Sequence, residues 1–340
     1  MVVKAVDIAR ELGLSKATVS LALNDKPGVN EHTKELVLEC KRRLERGEAG
    51  EQRTLSNGRA DIIKLIIMSH SYRIVIEAEL DLWTDEKAVF TRIANSWGCK
   101  LDIVYFDVDR DSPESLIQTC NRDDVLGVII DGTEIITADS RLVNRIHKPL
   151  VLYDVDLYNQ RHSCVMMDNR GGIYDAMDAL TGAGSKNIVY LAMDYEIYNF
   201  TSRRASFVRY MREHNLDDHA QDRMVRVGKS IAEVYTKFGH YLDKNPLPDA
   251  FIAESYHISI SALRLFRERG IRLPEDVSFT GVDELPDFLT GEYALSTVKI
   301  PMTERAKLTM AMLKHEIEEP CELKTKLYTA CNFIHGNTIR

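Results

Sequence analysis

From Ile62 onward the chain alternates short apolar runs with stretches of helical periodicity, and this alternation restricts the fold more than any other feature. The apolar runs are Ile62–Met68, Leu101–Phe106, Val125–Ile130, Leu150–Tyr153, Ile188–Ala192, Ala250–Ala253 and Val277–Val282. Near-continuous apolar runs of this length are the pattern of parallel strands covered on both faces. Helical stretches lie between them at 85–97, 113–121, 138–146, 171–183, 202–214, 230–243, 257–269 and 302–317. Strands and helices in this order build α/β sheets with helices on both sides. Eight or so units exceed one small doubly wound domain. A TIM barrel has as many, but it leaves the first 60 residues unexplained.

Those first residues read differently. Ala5, Ile8, Ala9 and Leu12 form a helical stripe that Gly13 ends. Ser15 is suited to cap a second helix with Val19, Ala22 and Leu23 on its apolar face. Asn30 can cap a third, carrying Thr33, Leu36, Val37, Cys40 and Leu44. Two helices about a tight turn are a helix-turn-helix unit, whose second helix can enter a major groove with its N-terminal side chains at the base edges. Lys16 and Ala17 are then outermost. Thr18, Ser20 and Asn24 are short polar groups for phosphate oxygens, with Asn30 and Thr33 at the start of the next helix. A plain three-helix bundle shares this periodicity. Residues 45–52 hold no apolar side chain larger than alanine and read as a linker.

The formal net charge of −8 argues against nucleic-acid binding until it is divided. Residues 1–60 hold eleven Lys/Arg and nine Asp/Glu, so the head is +2 and the remaining chain −10. A mildly basic head therefore precedes an acidic body. No run approaches the ~20 apolar residues of a membrane helix, and Met1–Asp7 has no signal-peptide pattern. The six cysteines are scattered without a CxxC, which fits a reducing cytoplasm and gives neither a disulfide framework nor a metal site. Gly182–Lys186 lacks the spacing of a phosphate loop, and neither HExxH nor GxSxG occurs. These absences argue against an enzyme and point to no cofactor.

The stretch from Val6 to Asn24, followed by Val29–Val37, resembles the DNA-binding head of the LacI/GalR family of bacterial transcription regulators. Leu21 stands where the family usually carries Arg, so one guanine contact is exchanged for a side chain that can touch a thymine methyl. Arg53–Arg59 resembles the family hinge, and Leu55 occupies the position of its minor-groove wedge. The body carries the resemblance further in Val165–Gly172, Arg203–Phe207, Leu273–Asp283, Leu295–Pro301 and Asn332–Thr338.

The resemblance implies an all-α helix-turn-helix head at 1–45, a hinge at 46–60 and an α/β periplasmic-binding-protein-like two-lobed core at 61–340. Its first lobe would hold 61–161 and 293–325, and its second 162–292 and 326–340. It further implies a repressor that binds palindromic operator DNA as a homodimer under the control of a small polar effector, a sugar or sugar derivative. The effector contacts implied are Asp154, Arg203 and Asp283, with Trp83 able to stack on a sugar face. Ser255 and Tyr256 replace the family's Asn–Asp pair, which points to a different effector. The competing reading is a cytoplasmic small-molecule binding protein with a degenerate head.

Overall fold

The structure, a computed structural model, describes residues 8, 16–24, 34, 37–38, 41, 61–70, 84–157 and 162–340. It divides into two compact units, the head and the core.

In the head, helix α1 spans Lys16–Leu23. Val19 and Ala22 of α1 are buried, as are Ile8 and Val37, all four at positions that the periodicity assigns to inner faces. Ser20 and Asn24 are exposed. The Asn24 side-chain amide donates to the Ser20 carbonyl at 2.7 Å, which satisfies one of the acceptors a helix end leaves open.

The core opens with β1 (Ile62–Ser69), α2 (Thr84–Ser96), β2 (Lys100–Asp107), α3 (Pro113–Cys120), β3 (Val125–Asp131), α4 (Ser140–Val143), β4 (Leu150–Tyr153) and β5 (Ser163–Met167). It continues through α5 (Asn169–Gly182), β6 (Ile188–Ala192), α6 (Tyr198–Glu213), β7 (Met224–Arg226), α7 (Ile231–Lys244), β8 (Ala250–Ala253), α8 (Tyr256–Glu268), β9 (Ser278–Val282), α9 (Asp287–Thr290) and β10 (Ser296–Lys299). Helix α10 (Met302–Glu318) and strands β11 (Lys326–Thr329) and β12 (Asn332–Ile334) complete it. Two six-stranded sheets result, ordered β11-β5-β4-β3-β1-β2 and β12-β10-β9-β8-β6-β7. Every pairing is parallel except that of β12 with β10.

The apolar runs become strands, inner ones except Leu101–Phe106, which forms β2 at the edge of the first sheet. Lys64 interrupts the run of β1 yet is only 3% exposed. It lies opposite Asp102 on β2 and bonds it at 2.5 Å, so the buried charge has its partner. The second core is rich in aromatics: Phe238, Phe251, Phe266 and Phe279 are fully buried and meet edge to face. Gly281 lets α8 lie close to β9, since a Cβ there would stand 2.5 Å from the Ser259 hydroxyl.

Strand pairing corrects the expected lobe boundaries. β5 and β11, expected in the second lobe, pair with each other and with β4 in the first sheet. β10, expected in the first, pairs with β9 in the second. The chain crosses between lobes after these strands rather than before them, because each strand completes its ladder before the backbone leaves. Helix α10 returns to the first lobe and packs on β3, β4 and β5. Helix α6 starts at Tyr198, a turn earlier than the expected 202, and this turn carries a functional side chain, Asn199.

Candidate functional site

Two aspartates occupy equivalent places at the carboxyl edges of the two sheets. Asp154 follows β4 and Asp283 follows β9, and both adopt left-handed backbone, with φ of 67° and 77°. That region disfavours side chains other than glycine and clusters at functional positions. Each backbone N–H donates to the next strand at 3.0 Å, Asp154 to the Val165 carbonyl and Asp283 to the Val298 carbonyl. Both residues stand directly after their strands, at the carboxyl edge where α/β sheets bind ligands.

Asp154 is only 2% exposed, and both its oxygens are engaged. Oδ1 accepts from Arg305 Nη2 at 2.5 Å, while Oδ2 accepts from the Thr133 hydroxyl and the Asn199 amide, each at 2.8 Å. Asn199 sits on α6 of the second lobe, so this bond crosses between lobes. The Asn199 carbonyl accepts from the Asn169 amide at 2.8 Å, and the Asn169 carbonyl accepts from Arg203 Nε at 2.8 Å. Two amides thus connect the Arg203 guanidinium to the Asp154 carboxylate, every donor pointing the same way. Such a chain polarises each member along its length. Arg203 also donates to the Glu254 carbonyl at 2.8 Å and to the Met167 sulfur, a weak acceptor, at 3.1 Å.

Beneath Arg203 lies a second buried charge centre. Glu254, fully buried, takes a two-pronged bond from Arg204, with Nε on Oε1 at 2.7 Å and Nη2 on Oε2 at 2.8 Å. The Met193 N–H and the Tyr190 hydroxyl complete its shell, at 2.8 and 3.2 Å. Glu254 directly precedes Ser255, the cap residue of α8, and so anchors the start of that helix.

Unsatisfied polar atoms concentrate at the two carboxyl edges. Among the described residues, eight buried side-chain polar atoms lack a hydrogen-bond partner. Seven of them belong to Ser69, Asp107, Ser255, Tyr256, His257 and Arg305, which end strands β1 and β2, follow β8, or lie on α10; the eighth is the Ser185 hydroxyl. Native interiors leave few such atoms, and clusters of them call for an explanation. Beside them is a recess of about 520 Å³ lined by Tyr256, Asp283, Lys299, Pro301, Met302, Glu304 and their neighbours. A larger open depression of about 650 Å³ along α6 is lined by Arg204, Arg209, Arg212 and Met224, and none of the unpartnered atoms lines it.

Burial governs the electrostatics. Glu86, bonded by the Tyr153 hydroxyl, is pushed up to about 8 by desolvation, against the pull of Arg305. Asp131, at the end of β3, is pushed up to about 6 by burial and by the charge of Asp154. The Asp283 carboxyl is raised by burial, although Arg203 and the Tyr256 backbone N–H hold it down. Burial lowers His257 to about 4, so that its ring is neutral.

The expected effector residues Asp154, Arg203, Ser255, Tyr256 and Asp283 therefore meet at these edges. Asp154 and Arg203 meet through the amide chain, and Ser255 and Tyr256 carry unpartnered hydroxyls. Trp83 lies outside the described residues, as do Asn30, Thr33 and Leu55. Lys16, Ala17 and Thr18 form the first turn of α1, and their side chains lie outside the description. Leu21 is half-buried in α1. Sequence reasoning missed Glu86, Asn199, Glu254 and Arg305. One signal was available: Arg305 shares the buried stripe of α10 with Ala306, Thr309, Met310 and Leu313, and a charge on an inner stripe marks a polar site.

Comparisons with known proteins agree with this architecture. Residues 6–45 match the model of bacterial regulatory proteins of the lacI family, and residues 177–339 that of a periplasmic binding protein-like domain. The chain is 26% identical over 337 residues to the transcriptional regulator GalR of Streptococcus thermophilus, covering 94% of each. A solved complex of the transcriptional regulator CelR with cellobiose superposes with a TM-score of 0.70 at 18% identity, covering 99% of both chains. The lac repressor dimer bound to operator and the anti-inducer ONPF gives 0.67 at 17% identity, again over 99% of both. A helix-turn-helix head followed by a two-lobed periplasmic-binding-protein-like core is the LacI-like fold. Residues 6–45 carry the lacI-family head, and over nearly its whole length the chain is similar to transcription regulators of the LacI/GalR kind. No helix among the described residues is long and apolar enough to cross a membrane.

Proposed function

We propose that this regulator represses transcription from a palindromic operator, bound by two copies of the head, and that a small hydroxyl-bearing effector in the interlobe cleft controls the binding. The clustering of unpartnered buried polar atoms at the two carboxyl edges carries this reading. A polar ligand closed between the lobes would supply the missing partners. Asp154, Arg203, Ser255, Tyr256 and Asp283 would hold it, with Trp83 as a stacking face. The complex of CelR with cellobiose supports a carbohydrate as the effector class. A homodimer in the cytoplasm, with no metal or cofactor and no catalytic step, completes the proposal. The ligand acts by preferring one lobe arrangement over another, since only a difference in affinity between two states shifts their balance.

Lys16, Ala17, Thr18, Ser20, Leu21, Asn24, Asn30 and Thr33 would read or position the operator, and Leu55 would wedge into its minor groove. Retardation of the gene's own upstream DNA in a gel, in excess of unrelated competitor, is the expected result. Lys16→Ala should weaken that specific binding by about 1–3 kcal/mol. Fluorescence anisotropy checks it, and an unchanged operator affinity would remove Lys16 from the interface. Absence of any sequence-specific retardation would favour the degenerate-head reading.

A further inference from the structure

Arg305 is the largest fully buried side chain among the described residues. It uses one nitrogen, Nη2, on Asp154 at 2.5 Å. Nε and Nη1 find no acceptor. A guanidinium kept solely to brace a core would have its donors filled, because an unmet buried donor costs stability. The neighbouring carboxyls do not fill them. Both Asp154 oxygens are engaged, while Asp131 and Glu86 are each bonded through one oxygen, Oδ1 by the Thr133 N–H at 3.2 Å and Oε1 by the Tyr153 hydroxyl, and neither takes a bond from Arg305. The guanidinium lies over the Tyr153 ring, 4.5 Å from its centroid, and its charge acts on Glu86 and Asp131 in the first lobe and on Asp283 in the second. It therefore stands where the lobes meet.

The surroundings also define what those donors can take. Four carboxyl groups, Glu86, Asp131, Asp154 and Asp283, face two guanidiniums, Arg203 and Arg305; with Glu86 holding its proton, the other three still outnumber the two cations. Another carboxylate or a phosphate would add to that excess of negative groups. A hydroxyl fits both demands: its oxygen accepts from Arg305 and its hydrogen goes to an aspartate. We propose that Arg305 is an effector-binding residue that presents Nε and Nη1 to hydroxyl oxygens of an uncharged polyol and thereby selects against phosphorylated or carboxylated relatives of that polyol. The assignment rests on the reading of the cleft as the effector site.

Calorimetric titration and thermal shift of the full chain test it. The probes are glucose, galactose and cellobiose, the 6-phosphates of the two monosaccharides, and glucuronate and galacturonate. A neutral sugar should bind, and its charged derivatives should bind at least tenfold more weakly. Arg305→Lys keeps a cation for Asp154 but not the two further guanidinium donors, and should lose at least tenfold in affinity while its unliganded melting temperature stays near that of the parent. If the lysine variant does not fold, the parent chain's ratio of affinities for each neutral sugar and its phosphate or uronate carries the test alone. Unchanged affinity in a folded variant, or tighter binding of a phosphate or uronate, would overturn the assignment. Sugar binding that survives Arg305→Lys but is lost in Asp283→Asn would sink Arg305 and leave the cleft standing. A parent chain that binds none of the probes would overturn both.

Discussion

Glu254→Ala is expected to destabilise the core by about 3–5 kcal/mol, the usual result of removing one partner from a buried ion pair. The magnitude follows from what would be left behind. Arg204 is 6% exposed and directs two donors at Glu254, keeping beyond that pair only the Met193 carbonyl at 2.7 Å and Glu196 at 3.0 Å. The Met193 N–H and the Tyr190 hydroxyl, which Glu254 also accepts, would lose that acceptor in the interior. Glu254→Gln retains shape and one acceptor oxygen and should cost less. Chemical denaturation of the three proteins, followed by a signal from the core, orders them as parent, glutamine, alanine. A loss below about 1 kcal/mol for alanine would mean that the pair is replaceable by water. Because Glu254 precedes Ser255 and Tyr256 and its carbonyl holds Arg203, the same substitution should also impair the cleft.

Glu86 should contribute a fall of about 2–3 kcal/mol in core stability as pH rises from 6 to 8, and Glu86→Gln should remove that contribution. The sign is fixed by the direction of the shift. Glu86 titrates near 4.5 when solvated and near 8 in the folded chain. Between those values the folded chain holds a proton that the unfolded chain has released, so unfolding sheds it and stability declines with rising pH. The contribution is whole below 4.5 and gone above about 8. Asp131 adds a fall of the same sign that is nearly complete at pH 6, and His257, held neutral by burial, adds a smaller rise that ends near 6.5, so the Glu86 share is the difference between the parent and Glu86→Gln profiles. Glutamine keeps a hydrogen-bonding partner for Tyr153 and has no proton to lose. Melting temperatures at pH 6 and 8 check the point. Parallel pH profiles for parent and variant would show that Glu86 ionises freely in the folded state.

The strand–helix alternation was legible because interior parallel strands are covered on both faces and must read as apolar runs. The edge strands β11 and β12 escaped for the converse reason. β11 buries only Thr329, and none of the residues of β12 is fully buried, so neither leaves an apolar run to find. β5 is wholly buried, but Ser163 and Cys164 dilute its apolar character, and it follows β4 too closely to admit a helix. The lobe assignments failed with these strands, since a chain that crosses between sheets shows its crossing through pairing, not through composition. In the cleft, Asp154, Arg203 and Asp283 were legible by resemblance. Asn199 and Arg305 were not, because what identifies them is a contact between elements more than 40 residues apart: Asn199 and Arg305 reach Asp154 across 45 and 151 residues of sequence.

The chain of bonds from Arg305 through Asp154, Asn199 and Asn169 to Arg203 gives the lobes a direct mechanical link. A ligand that competes for Asp154 or Arg203 must alter that link, which is the step by which the proposed effector would control operator binding. Operator affinity of the full chain, measured by anisotropy with and without a saturating sugar already known to bind the core, tests this switch most directly. A change of at least fivefold in either direction, the size of an ordinary allosteric coupling, is the predicted result. The same dissociation constant with and without the bound sugar would contradict it.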